Sequence, residues 1–187
     1  RVVRLTASGG VDPTFNALGG GPNDRVYAVA VYPSTSAQHA NKVLIAGSFT
    51  SVDGQIRNGL ARLNVDGSVD TTFTGLGTGA NDAVFAVALT ASEQILVGGA
   101  FSMVDIYSRN GVARLNADGS VDTSFDPGSG TDNSVYAITQ DANGSILIGG
   151  VFTSYNGNRR MGVARLLSYG VLDTTFMDTT YNHFAGI

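Results

Sequence analysis

Gln94-Ile95-Leu96-Val97-Gly98-Gly99-Ala100-Phe101 decides the fold, because the chain carries this stretch three times. Val43-Leu44-Ile45-Ala46-Gly47-Ser48-Phe49 precedes it, and Ile146-Leu147-Ile148-Gly149-Gly150-Val151-Phe152 follows. Each copy is a short aliphatic run, a small residue with Gly, one further residue, and Phe. Other landmarks keep step with it. Arg-Leu falls at Arg4-Leu5, Arg62-Leu63, Arg114-Leu115 and Arg165-Leu166, in steps of 58, 52 and 51 residues. Eight residues after each Arg comes the Asp of an Asp-x-x-Phe: Asp12, Asp70, Asp122 and Asp173. Phe49, Phe101 and Phe152 each lie thirteen residues before an Arg of that series. A further run opens each full unit, at Val26-Tyr27-Ala28-Val29, Val84-Phe85-Ala86-Val87 and Val135-Tyr136-Ala137-Ile138.

These landmarks divide one repeat region, 1–187, into a partial unit (1–15), three full units (16–73, 74–125 and 126–176) and a tail (177–187). The first full unit is longer, and its extra residues lie in the polar segment Pro33–Asn41, where a loop tolerates insertion. The spacing predicts four short strands per unit. The Val-aromatic-Ala run is the first and the aliphatic-Gly stretch the second. The third carries Ala-Arg-Leu, and the fourth ends in Asp-x-x-Phe. Asp66-Gly67 and Asp118-Gly119 mark hairpin turns between the third and fourth, and Asn143-Gly144 marks one between the first and second. No stretch sustains a helical period, so the chain reads as all-β.

Ile95-Leu96-Val97 and Val84–Leu89 are almost continuous apolar runs, which suit strands covered on both faces. A lone unit would leave such a strand bare, and each fully buried Leu or Ile is worth roughly 1.5–3 kcal/mol. Units must therefore pack on one another. Four strands in each unit of 51–58 residues, stacked radially, is a β-propeller-like array. The Gly pairs are expected where blades crowd together. A β-trefoil also has four strands per unit and stays open as the alternative.

Together, Asp-Thr-x-Phe, Gly-x-Gly, Val-Tyr-Ala-Val, Ile-Leu-x-Gly-Gly-x-Phe and Ala-Arg-Leu-Asn-x-Asp-Gly-Ser-Val-Asp resemble the delta-60 repeat. The resemblance spans residues 1 to about 176 and implies a propeller-like module of large bacterial surface or secreted proteins. It implies no catalytic residues. Met177–Ile187 departs from the pattern, with Phe184-Ala185 only a loose echo of Tyr136-Ala137.

Composition narrows the function. Gly reaches 25 residues, about twice average usage, and charged residues make up 14 %. Hydrophobic content of 43 % supports a packed core, and a net charge of −4 gives no footprint for nucleic acid. No segment approaches the roughly 20 apolar residues of a membrane helix. Without Cys there are no disulfides, thiolate metal sites or thiol nucleophiles. No cofactor is expected.

Asn64, Asp66 and Asp70, with their counterparts Asn116, Asp118 and Asp122, are spaced like an oxygen-rich calcium loop. The twelfth position of that loop holds Gly75 in place of Glu, so hairpin turns are the preferred reading. The four Arg/Asp pairs are expected to be structural ion pairs or backbone bridges, the sharper alternative being a sugar- or carboxylate-binding ring. His39 and His183 do not recur and are expected to be plain surface side chains. Gly19-Gly20-Gly21 and Gly75–Gly79 lack a following Gly-Lys-Ser/Thr and read as interblade turns. Asn143-Gly144-Ser145 is a formal glycosylation sequon.

The expected function is a non-enzymatic scaffold or adhesion module, extracellular or at the cell surface, whose partners are other blades, domains or neighbouring chains. The alternative is a carbohydrate- or protein-binding propeller. Its ligand would sit on the segments that differ most between units: Ser51–Asn58, Met103–Asn110 and Ser154–Met161. The chain also reads as a slice of a longer array that does not close on itself. Expressed alone, residues 1–187 should self-associate in light scattering. A cooperatively folding monomer would mean that the ends are satisfied internally.

Overall fold

The computed structural model describes residues 2–16 and 20–177, and every regular element in them is a β-strand. The first unit holds β1 (Val26–Val31), β2 (Val43–Gly47), β3 (Ser51–Val52), β4 (Gln55–Ile56) and β5 (Leu60–Leu63). The second holds β6 (Val84–Leu89), β7 (Ile95–Gly99), β8 (Met103–Val104), β9 (Tyr107–Ser108) and β10 (Val112–Leu115). The third holds β11 (Val135–Gln140), β12 (Ile146–Gly150), β13 (Ser154–Tyr155), β14 (Asn158–Arg159) and β15 (Val163–Leu166). Each blade is an antiparallel sheet with the aliphatic-Gly strand in the middle: β1-β2-β5, β6-β7-β10 and β11-β12-β15. The tail beyond Met177, with His183 and Phe184-Ala185, lies outside the described residues.

The segment read as a fourth strand contributes one bridged residue per unit. The bridges are Leu5 to Val11, Leu63 to Val69, Leu115 to Val121 and Leu166 to Leu172. The Asp that follows explains why the ladder stops. Asp70 Oδ1 accepts from the Thr72 N–H at 2.9 Å and the Thr72 hydroxyl at 2.6 Å, turning the chain at once. Asp122 does the same with Ser124, and Asp173 with Thr175.

The segments that vary most between units are small hairpins, β3-β4, β8-β9 and β13-β14. Asp53, Asp105 and Asn156 turn them at φ 51°, 52° and 46°, in the left-handed region that Asp and Asn tolerate. Their side chains also hold the preceding interblade turn. Asp105 Oδ1 accepts from Thr78 N–H, and Asn156 Oδ1 from Ser129 N–H. The Gly75–Gly79 segment does link successive units, since Asn58 of the first full unit donates its side-chain amide to Thr78 C=O at 2.6 Å.

The blades stack in chain order, and the cores lie between them. One core joins Leu44, Ala46 and Leu60 of the first blade to Val84, Val97 and Ala113 of the second. Another joins Leu96 and Val112 to Ile138, Ile148 and Ala164 of the third. A third covers the upstream side of the first blade with Phe15, against Ile45 and Ala61. The middle strand β7 is therefore buried at every position, whereas β1 alternates between half-buried and exposed. A trefoil would gather its units around one shared core. Separate cores between neighbouring sheets leave that alternative without support.

The Gly98-Gly99 pair is crowded in two ways. A Cβ on Gly98 would meet Val135 of the next blade at 2.8 Å, which is the interblade crowding expected. A Cβ on Gly99 would run into the Ala83 carbonyl leading into its own blade's first strand. The second glycine thus serves the sheet it belongs to. Gly99→Ala should destabilise the chain by about 1–3 kcal/mol, the usual range for overpacking. An unchanged denaturation midpoint would show that this backbone yields freely.

Candidate functional site

The recurring Arg and Asp are brought together in all four copies. Arg4, Arg62, Arg114 and Arg165 each place Nε 2.7–2.9 Å from the Oδ2 of Asp12, Asp70, Asp122 and Asp173. The guanidinium also lies over the Phe of the same Asp-x-x-Phe. Arg62 sits 4.8 Å from the Phe73 ring centre, and Arg165 4.7 Å from that of Phe176. The third contact crosses to the next blade. Arg4 Nη1 donates to Val65 C=O, Arg62 to Ala117 C=O and Arg114 to Ser168 C=O. All three acceptors lie in the Asp-Gly turn of the following unit, or its equivalent. One side chain therefore fastens its own turn and sets the position of its neighbour.

Burial follows the stacking. The Arg62 side chain is 2 % exposed and Arg114 10 %, while Arg4 and Arg165 reach 36 % and 32 %. Asp70 receives a further donor, Lys42 Nζ at 2.7 Å, and Asp122 receives Gln94 Nε2 at 2.8 Å. Sequence reading missed both. The signal was the position just before the aliphatic stretch, which holds Lys42 in one unit and Gln94 in the next. Burial pushes the Asp70 carboxyl up, but Lys42, Thr72 and Arg62 outweigh it and hold it well below the usual carboxylate range. Asp122 is lowered in the same way by Ser124 and Arg114 against burial. Thr175, followed by Arg165, brings Asp173 down to about 2.

The calcium candidates point elsewhere. Asp66 Oδ1 caps the N–H and hydroxyl of Ser68, and Asp118 Oδ1 does so for Ser120. Asn64 and Asn116 donate their amides to those serine hydroxyls at 3.0 and 2.9 Å. Asp70 and Asp122 face their arginines. Both loops are self-satisfied turns.

Phe49, Phe101 and Phe152 are fully buried core residues. His39 is a correction: its side chain is 12 % exposed and is not a plain surface group. Its Nδ1 lies 3.1 Å from Glu93 Oε2, and its ring is 5.0 Å from Tyr32, which pins the first unit's insertion to the second blade.

Two further series were overlooked. Arg57, Arg109 and Arg160 each stand two residues before a Gly and donate to the preceding residue's carbonyl, at 2.7, 2.8 and 2.7 Å. Asn23, Asn81 and Asp132 each accept two successive backbone N–H groups of the following turn, as Asn81 does from Ser102 and Met103. A cleft opens beside this clamp at each of the two interblade junctions. The first, of about 340 Å³, includes Ser48, Thr50, Asn58 and Asp82. The second, of about 360 Å³, includes Ser102, Asn110, Asp132 and Asn133.

This pattern of bladed sheets can be placed among known proteins. The family described as a domain of unknown function (DUF5122), beta-propeller, matches residues 41–73, 93–125 and 142–176, more than half of the chain. The chain belongs to this family. Each DUF5122 match opens shortly before the middle strand and closes on the Phe of Asp-x-x-Phe or its equivalent, so it contains the hairpin, the Arg and the Asp turn. Among solved structures, the WD40 beta propeller domain of Doa1 is similar at 15 % identity and a TM-score of 0.38, covering 68 % of this chain and 48 % of that one. This chain thus spans about half the length of that structure. No curated protein matches it.

Two outcomes follow from the ladder. Arg114→Ala should lower stability by about 3–5 kcal/mol, because it strands a buried carboxylate. Arg165→Ala, more exposed and with no next-unit carbonyl among the described residues, should cost about 1 kcal/mol or less. Equal losses in denaturant melts would contradict this difference in burial. The depressed carboxyls also set an acid limit. A lowered folded pKa gives stability that is present above the unfolded value of about 3.9 and is lost as pH falls through the folded one. The melting midpoint should hold above about pH 5 and drop between about pH 4 and 2. A plateau down to pH 2 would detach stability from these aspartates.

Proposed function

We propose that this DUF5122 chain is a non-enzymatic structural and protein-interaction module of a larger bacterial surface or secreted repeat protein, of the delta-60 type its motifs resemble. The observation that carries the reading is what happens to the recurring polar side chains. Arg62, Asp70, Asn81, Asp105 and their equivalents are each engaged in a bond that holds a turn or joins two units. Chemistry that recurs at every unit is spent on the frame. Such a frame presents loops and stacks with more of its own kind, so its partners are further blades, neighbouring domains or adjoining chains. The test is to produce the full-length parent protein in its host and treat intact cells with protease. Release of fragments carrying this region supports a surface or secreted module, and full protection places it inside the cell.

One observation favours recognition on the variable hairpins as a second reading. Ile56 and Ile106 are 75 % and 74 % exposed on β4 and on the β8-β9 turn. Apolar tips on a rigid frame suit a protein partner. Binding that is lost in an Ile56→Ser, Ile106→Ser variant with an unchanged melting midpoint would establish it.

A further inference from the structure

Tyr27, Phe85 and Tyr136 form a row that neither the core nor the interblade ladder explains. Each follows the first Val of its blade's first strand, where the pairing register shifts and a bulge re-aims the side chain. Tyr27 packs edge-on against Phe85 with ring centres 5.2 Å apart, and Phe85 against Tyr136 at 5.0 Å. The row therefore crosses all three blades as a braced unit. Tyr27 remains 43 % exposed and Tyr136 52 %. Phe85 is only half-buried although a blade flanks it on either side, so the row stays open within the stack.

The two interblade clefts border this row. Val26 pairs with Gly47, which lines the first cleft, and Ala83, two residues before Phe85, lines its other side. The second cleft stands in the same relation to Val84 and Tyr136, through Gly99 and Ser134. Their volumes fall at the lower end of the range for small-ligand sites. Beside Phe49 or Phe101 and several Gly and Ala, the lining offers hydroxyls, amides and one carboxylate each, with no cation. Asp82 uses one oxygen to cap Ala83 N–H at 2.6 Å, and its other oxygen has no hydrogen bond among the described residues. Asn133 accepts from Ser134 N–H at 2.8 Å, and its amide N–H groups have no partner among the described residues.

We infer that the aromatic row and its flanking clefts bind a neutral polysaccharide chain, running across the blades with successive sugars against the rings. Aromatic faces suit the C–H faces of sugars. The Asp82 oxygen in the first cleft and the Asn133 amide in the second suit hydroxyls, which both donate and accept, while Asp132 is held by Thr153 and Ser154. The clefts hold a carboxylate each and no cation, and the cation neighbouring the row, Arg25, stands beside the Tyr27 hydroxyl at its end, so the clefts themselves are unsuited to an anionic polymer or a phosphate. The inference deepens the interaction-module reading and rests on it, but it moves the ligand from the hairpin tips to the first strand of each blade.

The experiment is calorimetric titration of the 1–187 chain with hexasaccharides of glucose, mannose and galactose, and with a uronic-acid hexamer as the anionic control. A neutral hexamer should bind, the anionic one should not, and Tyr136→Ala and Tyr27→Ala should each weaken binding at least tenfold. Tyr136→Leu, which keeps apolar area without the aromatic face, should lose as much, and each variant's melting midpoint checks that it is folded. Binding lost only in the Ile56→Ser, Ile106→Ser variant would overturn the site while keeping the interaction module. Preference for the anionic hexamer, or no binding of any hexamer, would overturn the inference and leave the protein-interaction reading to the cell-surface test.

Discussion

The rest of this structure depends on a guanidinium shared between blades. Nε and Nη2 of Arg62 hold Asp70 and Thr72 of its own Asx turn, while Nη1 reaches the Ala117 carbonyl of the next unit. A planar group with donors in a fixed fork cannot satisfy all three unless the neighbouring turn sits at one distance and angle. The bond therefore fixes the step from blade to blade. Its burial makes the constraint strict, because a desolvated charge left without a partner is costly. The aromatic floor under each guanidinium and the second donor to Asp70 or Asp122 complete the pairing that burial demands.

That step places hydrophobic cores between the sheets. Leu44 and Val97 belong to different units yet share one core, so the largest core is completed only when one unit packs on the next. Stability is then a sum over interfaces, as in other repeat architectures. The first unit's insertion joins the same logic: His39 and Glu93 bind it to the second blade so that it adds to an interface.

A frame that engages its recurring polar groups in this way separates structure from recognition. The hairpins beyond the middle strands differ in sequence from unit to unit, and two of them carry exposed isoleucines. The aromatic row on the first strand of each blade is different, since it recurs at unit period and still stays outside the cores. Recurrence of a side chain that packing does not need is the reason to look for a ligand there.

Much of this architecture was legible in the sequence, because spacing alone reports a repeat. Val97-Gly98-Gly99 and Ala113-Arg114-Leu115 occur in step, and strands covered on both faces leave continuous apolar runs, so the blades and their middle strands followed directly. The pairing of Arg114 with Asp122 was legible too, being local and repeated. What the sequence left open required contacts across units. The Ser168 carbonyl has no side-chain signature, so the bond that Arg114 makes to it was invisible. The same holds for Gly99, whose crowding comes from a backbone oxygen. The fourth strand was read as a full ladder, because alternation around Val121 cannot show that the carboxylate of Asp122 will fold the chain one residue later. His39 became a half-buried partner of Glu93 only because the stack brings an insertion of one unit onto a turn of the next. Pattern encodes what each residue does within its unit. Only packing of one unit on another decides which backbone atoms lie opposite it, and that choice set the blade step, the clefts and the aromatic row.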